Sequence, residues 1–425
     1  MNLASRDHQI IWHPYTQMQT ADLPLAIVRG ENSWLYTDTG EAYLDAVSSW
    51  WVTIHGHSHH YIAAKVAEQI KQLDHVIFAG FTHPPAVELA EKLLPLLPQN
   101  QKRVFYSDNG STAVEVALKM GIQFWENQEK PKRRIIAFRD SYHGDTFGAM
   151  SVSSRSAFTQ PFVQYLFQVD FIDVPVQGKE EQVVEQLSAL VQQGDIAAFI
   201  FEPLLLGTAG MVMYAPEVLN QLLEICKKHD VLTIADEVMT GFGRTGKNFA
   251  CDYLTVQPDI MCFSKGLTGG TMALGVTTCT EAIYNAFLSD KPTKTFFHGH
   301  SFTANPIACT AASASLDLFT DPACLENRNR IAQQHQDFRE EVQNHTAIKE
   351  CRQLGTVLAI EFNAGQTSYF NNIRQTLYSY ALENHVILRP LGNIIYVLPP
   401  YCTTNQELRQ IYNVILGMLS LIANN

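Results

Sequence analysis

The chain holds 425 residues, 46% hydrophobic and 17% charged, a balance that supports two or three domains around a large core and excludes a disordered chain. Its formal net charge of −12 works against non-specific nucleic-acid binding, and no basic stripe with interleaved aromatics offsets it. Eight cysteines lie scattered without a CxxC pair, so neither a disulfide framework nor a zinc site is expected and they read as reduced thiols in a cytoplasmic protein.

The opening run Met1-Asn2-Leu3-Ala4-Ser5-Arg6-Asp7 has no apolar h-region. The longest apolar stretch, residues 196–216, is broken by Glu202 and two prolines. Neither a signal peptide nor a membrane span is expected. Residues 1–50 show little periodicity and are expected to pack against the C-terminal part of the chain. His55, His57, His59 and His60 then cluster around Gly56 in a turn. A metal would want ligands fixed on a rigid element and backed by acids, so no metal site is expected there. His298 and His300, flanking Gly299, read the same way.

From about residue 103 to 280, short apolar runs alternate with amphipathic helical ones. Strands are expected at Val104–Ser107, Ile135–Phe138, Ala198–Phe201, Val231–Ala235, Ile260–Phe263 and Leu274–Thr277. Their near-continuous hydrophobicity predicts a mostly parallel sheet covered on both faces. Leu219, Leu222, Leu223 and Cys226 recur at helical spacing behind Pro216, a favourable first-turn residue. The alternation predicts an α/β domain over residues 51–320. Residues 321–425 read as a smaller α+β domain. It should contain a helix over Asn329–Glu341, a strand at Val357–Glu361, and a strand pair at Val386–Arg389 and Ile394–Val397. A closing helix follows the capping box Thr404-Asn405-Gln406-Glu407.

Ligands of open α/β sheets bind beyond the carboxyl ends of the strands, and the polar residues of this chain gather there. The first strand leads to Asp108-Asn109-Gly110-Ser111-Thr112, where Thr112 and Glu115 form an expected capping box and Gly110 permits close backbone approach. Such a helix start attracts phosphate. The second strand leads to Tyr142 and His143, a ring that can stack on a planar group and an imidazole that can hydrogen-bond beside it. The third ends in Glu202, whose carboxylate needs a partner or exposure. The fourth ends in Asp236, with Glu237 pointing to the opposite face. The fifth runs into Ser264-Lys265-Gly266. An acid at one tip and an amine at the next suit pyridoxal 5'-phosphate. The amine condenses with the aldehyde, and the acid keeps the pyridine nitrogen protonated.

Gly241-Phe242-Gly243-Arg244-Thr245-Gly246 matches the dinucleotide pattern GxGxxG. That pattern must open a helix, however, and the aromatic-rich segment from Lys247 to Pro258 has no helical stripe. These glycines instead predict a loop presenting Arg244.

Taken together, Asp236-Glu237-Val238, Gly241-Phe242-Gly243-Arg244 and Ser264-Lys265-Gly266 resemble the class III PLP-dependent aminotransferases of fold-type I over nearly the whole chain. Five further segments are similar to the branch of that family that serves biotin synthesis. They are Trp12-His13-Pro14-Tyr15-Thr16, Ser48-Ser49-Trp50-Trp51, Tyr142 to Met150, Thr268 to Met272, and Arg389-Pro390-Leu391-Gly392. The resemblance implies that Lys265 is the Schiff-base lysine, that Asp236 pairs with the pyridinium, and that Gly110 and Ser111 bind the phosphate. It implies that Tyr142 stacks on one ring face and Val238 packs on the other. Ser301, beside Gly299, would reach the phosphate of a neighbouring subunit in a homodimer. Tyr15, Trp50 or Trp51, Arg244, Gly299 and Arg389 would line the substrate pocket, with Arg389 as carboxylate clamp.

The reaction implied is transfer of the amino group of S-adenosylmethionine to 8-amino-7-oxononanoate. Lysine as donor, or an ω-aminotransferase of the 4-aminobutyrate or ornithine type, are the alternatives. Two departures from the family pattern stand out: Gly299-His300-Ser301 replaces Gly-Pro-Thr, and Leu206 replaces a glutamine before Gly207.

Overall fold

Seven strands form the central sheet of the protein, described here from a computed structural model covering residues 2–369 and 371–423. The outer ends of the 1–50 and 321–425 segments, with the opening Met1, therefore lie outside the described residues. In chain order the strands are β1 (Gln101–Ser107), β2 (Arg134–Phe138), β3 (Asp170–Ile172), β4 (Ile196–Phe201), β5 (Leu232–Asp236), β6 (Ile260–Phe263) and β7 (Gly275–Thr280). Their spatial order is β1-β7-β6-β5-β4-β2-β3. The pairings β6–β5, β5–β4, β4–β2 and β2–β3 are parallel, whereas β7 runs antiparallel to both β6 and β1. Every residue of β4, β5 and β6 is buried, as a parallel sheet covered on both faces requires.

The short strand β3 escapes the sequence reading because its apolar Phe171-Ile172 lies between Asp170 and Asp173, too brief to show a period. The helix Pro216–Lys228 buries Val218, Leu219, Leu222, Leu223 and Cys226 along one face, following the predicted stripe. The helix after β1 departs from expectation at its start. Asn109 is the N-cap: its side chain accepts from the Thr112 amide at 3.0 Å, while Thr112 Oγ1 accepts from the Asn109 amide at 2.9 Å. Glu115 is therefore not the box partner. It accepts instead from Thr146 Oγ1 and the Gly148 and Ala149 amides, tying the helix to the loop beyond β2.

The C-terminal part holds an antiparallel sheet of Ile348–Leu354, Val357–Phe362 and Ile394–Val397. The long polar helix runs over Pro322–Val342, starting earlier than predicted because the Asp321 side chain caps it and Pro322 suits its first turn. The expected strand pair does not form. Val386–Ile387 pairs in parallel with Ala42–Asp45, the last strand of an N-terminal meander (Ile27–Glu31, Trp34–Thr37, Ala42–Asp45), and not with Ile394–Val397. Pro390, which has no N–H for a ladder, lies between the two sheets and leaves Arg389 outside both. At the closing helix, Thr404 and Glu407 exchange the two predicted hydrogen bonds.

Candidate active site

Two cavities, of about 670 and 420 Å³, open at the carboxyl ends of the parallel strands and share Trp51, Tyr142, Gly144 and Lys265 in their linings. Lys265 lies two residues beyond β6, after Ser264, and adopts a left-handed backbone (φ 47°), an uncommon state for a residue with a side chain. Its Nζ lies 4.5 Å from the centre of the Trp51 ring. Removal from water lowers the Lys265 amine to about 8; the carboxylates of Asp236 and Glu202 oppose the shift and the Arg244 charge adds to it.

Asp236 ends β5, buried, with Oδ2 2.7 Å from His143 Nδ1 and Oδ1 accepting from the Val238 amide at 3.0 Å. His143 thus comes from a strand end 93 residues away to orient the carboxylate. Glu202, at the end of β4, accepts from the Tyr142 amide at 2.9 Å and the Gly207 amide at 3.1 Å. Burial pushes this carboxyl up to about 7, with His143 opposing and Asp236 adding to the rise. On the other face of β5, Glu237 accepts from Thr240 Oγ1 and the Cys251 amide, and burial raises it also to about 7.

Gly110 and Ser111 line the smaller cavity at the first turn of their helix, where amides lack intrahelical partners. A Cβ on Gly110 would sit 2.8 Å from Val238 Cγ1, so glycine alone lets the helix start approach β5 this closely. Tyr142, its backbone held by Glu202, and Val238 line the same cavity.

The larger cavity carries Tyr15, Trp50, Trp51 and Arg389 in its wall. The two tryptophans divide: Trp51 is buried beside Lys265 and lines both cavities, while Trp50 is 41% exposed with the Arg389 guanidinium 4.2 Å over its ring. Tyr15 donates its hydroxyl to Asp145 in a short hydrogen bond, and burial together with this carboxylate raises the phenol to about 12. Asp145 is a site residue that local sequence pattern does not single out. Its one signal was its place in the segment Tyr142 to Met150, because its partner is 130 residues away.

Contrary to expectation, Arg244 does not stand in the pocket wall. It lines neither cavity; its side chain is buried behind Trp51, with Nη1 donating to the Pro399 carbonyl at 2.9 Å and the guanidinium 5.1 Å from the Tyr401 ring. The surrounding glycines form turns, Gly243 and Gly246 having φ of 94° and 102°, and lead into a short 3₁₀ turn at Ala250–Tyr253. That loop folds the arginine inward, braced by the Arg244 carbonyl accepting from the Thr356 amide.

Gly299 and Ser301 also lie outside both cavities of this chain, on an exposed loop. Next to them, His300 lies 3.0 Å from His298 and 3.5 Å from Asp108, which ties the loop to the start of the phosphate-type helix where proline would have stiffened it. Leu206 is fully buried in core and lines neither cavity, so the polar contact at this point is made by the Gly207 amide to Glu202. Among the described residues no group of three or more metal-ligating side chains occurs, and His55 and His57 bond to Ser315 and Asp45.

A family model described as aminotransferase class-III matches residues 15–419. An adenosylmethionine-8-amino-7-oxononanoate aminotransferase from Synechococcus elongatus is 45% identical over 98% of this chain and 99% of its own length. One of the same name from Geobacter sulfurreducens is 38% identical over 95% and 94%. The crystal structure of the enzyme so named from Methanocaldococcus jannaschii superposes with a TM-score of 0.93 at 33% identity, covering 98% of both chains. An amine transaminase from an uncultivated Pseudomonas species, solved with PLP bound, gives 0.91 at 28% identity over 97% and 99%. A chain matched from end to end in this way, with a lysine, an aspartate and a helix start converging on one cavity, belongs to the class III aminotransferase family.

Proposed function

We propose that this chain is a PLP-dependent transaminase that moves the amino group of S-adenosylmethionine onto the 7-oxo carbon of 8-amino-7-oxononanoate, yielding 7,8-diaminononanoate for biotin synthesis. One arrangement carries the reading. An amine lies at the inner end of a cavity of about 670 Å³, and a guanidinium stands over an indole in its wall, as a carboxylate-bearing amino substrate needs. The names of the full-length relatives support the choice of substrates over a general ω-amine or lysine.

The residues present fit pyridoxal phosphate. The helix start at Gly110 and Ser111 suits a phosphate, Tyr142 and Val238 bound a flat space, and buried Asp236 offers a negative charge. When bound, the cofactor supplies a protonated pyridine ring that draws electrons from the carbon bearing the amino group. Asp236, oriented by His143, holds the proton on the ring nitrogen. Burial makes the Lys265 amine far easier to deprotonate than an ordinary lysine, so its Nζ can take the proton from that carbon and return it one position away. Trp51 covers the amine and limits water. Tyr15 and Trp50 give apolar contact to an aliphatic chain and attraction to a cation, while Arg389 grips the carboxylate. The donor leaves as its 2-oxo acid, and the acceptor ketone becomes the second amine.

We further infer a homodimer in which Ser301 serves the partner's phosphate site. On its own loop Phe297 and Phe302 are 72% and 60% exposed, an unusual apolar display for a surface left in water. The division into residues 1–50, 51–320 and 321–425 is supported by the parallel pairing of Ala42–Asp45 with Val386–Ile387. A cytoplasmic setting fits the eight free cysteines, and no helix among the described residues is long and apolar enough to cross a membrane.

The decisive test is the visible spectrum of the PLP-loaded protein, with S-adenosylmethionine in one cuvette and lysine in another. Conversion to the amine form of the cofactor by S-adenosylmethionine alone is the expected result; conversion by lysine or an ω-amine alone would sink the donor assignment. A second result concerns pH. Burial disfavours the Lys265 ammonium, so the rate at which cofactor-free protein captures added PLP should rise about tenfold per pH unit and level off above about 8. A rise continuing towards the ordinary lysine value would show an unperturbed amine.

A further inference from the structure

Two aromatic rings from distant segments stand in the wall of the larger cavity and take no part in the smaller one, which holds Asp236, Gly110 and Ser111. Phe158 lies on the loop after the helix Phe147–Ser151, and Tyr369 on the loop between the strand Val357–Phe362 and the helix Ile373–Glu383. Their rings meet edge to face at 4.8 Å and 84°. Tyr15 continues the aromatic wall, 5.9 Å from Phe158 and 5.7 Å from Trp50.

The Tyr369 loop is held from two sides. Arg374 stands 4.6 Å over the Tyr369 ring while its Nε donates to the Pro390 carbonyl at 3.2 Å. Thr367, two residues earlier, donates to Glu361 at 2.6 Å and accepts from Lys349 at 2.9 Å. Gly392 supplies the fit: with φ 66°, any Cβ there would run into the Ser368 carbonyl and the Tyr369 backbone. The loop carrying the ring is therefore set by the same short segment that carries Arg389.

We propose that Phe158 and Tyr369 form a distal subsite for the flat nucleoside end of a sulfonium amino donor, and so determine which amines this chain accepts. The inference rests on the donor named above. With the amino carbon at Lys265 and the carboxylate at Arg389, the remainder of such a donor must extend outward along the wall. There an aromatic base gains ring contacts, and the adjoining sulfonium gains attraction to π faces. The acceptor, an aliphatic chain without a ring, has no comparable use for the pair. Discrimination between a nucleoside donor and a plain amine follows from that difference.

The test uses the PLP-loaded enzyme and compares KM for S-adenosylmethionine with KM for 8-amino-7-oxononanoate in wild type, Phe158→Ala and Phe158→Tyr. Methylthioadenosine, the donor stripped of its amino-acid arm, serves as an inhibitor that reads the subsite alone. Phe158 is 42% exposed, so its truncation opens no hole in the core. Loss of one ring–base contact predicts a donor-to-acceptor KM ratio about tenfold higher in Phe158→Ala, with methylthioadenosine inhibition weakened by a similar factor. Phe158→Tyr, which keeps the ring, should restore both. An unchanged ratio, or a parallel rise in both KM values, overturns the subsite while wild-type use of S-adenosylmethionine still stands. If the wild type does not use that donor, the proposed function falls first and the subsite with it.

Discussion

Replacing Lys265 with alanine is expected to lower transamination by about 10⁴-fold or more, the scale associated with removing a positioned nucleophile and proton carrier. No neighbour can substitute. The nearest carboxylates, Asp236 and Glu202, are occupied by His143 and by the Tyr142 and Gly207 amides, and the ring facing the amine is an indole. Single-turnover measurements with each substrate would check this, beside a thermal melt showing that the variant folds. Turnover within about tenfold of wild type would remove Lys265 from the centre of the mechanism.

Asp236→Asn keeps the shape of the side chain and an oxygen for the Val238 amide, yet removes the charge. A loss in kcat of about 10²–10³ is expected, typical of deleting a preorganised electrostatic contact in a dry site. A second readout separates charge from packing. The Asp236 carboxylate favours the Lys265 ammonium, so its removal should move the amine's titration to lower pH than the wild-type value of about 8. If kcat falls while the titration stays in place, Asp236 acts only by holding local structure. If neither changes, its charge has no part in the reaction.

Both residues were legible in the sequence for the same reason. Each follows a short apolar run, and an apolar run ending abruptly in a charged residue predicts a buried strand with its tip at the ligand edge. Arg244 looked equally legible and was misplaced, since a glycine-rich loop has no period from which to read the direction of a side chain. Its guanidinium ends on the Pro399 carbonyl, 155 residues away. The second capping box failed for a nearer reason: the helix begins at Gly110, three residues earlier than a Thr112 cap requires, so Asn109 caps it and Thr112 takes the place of the box partner.

By itself, the amino-acid sequence determined the alternation of strands and helices, the mostly parallel sheet, the strand tips bearing Glu202, Asp236 and Lys265, and the closing helix with its capping box. These depend on hydrophobic periodicity and on hydrogen bonds between residues a few positions apart. Only the tertiary structure decided the rest. His143 meets Asp236 across 93 residues and Tyr15 meets Asp145 across 130. Trp51 goes to the amine and Trp50 to Arg389. Val386–Ile387 joins the N-terminal meander and leaves Arg389 at the cavity. Each of these is a choice among distant partners that local pattern leaves open, and it is settled by which surfaces can be buried together without stranding a polar group.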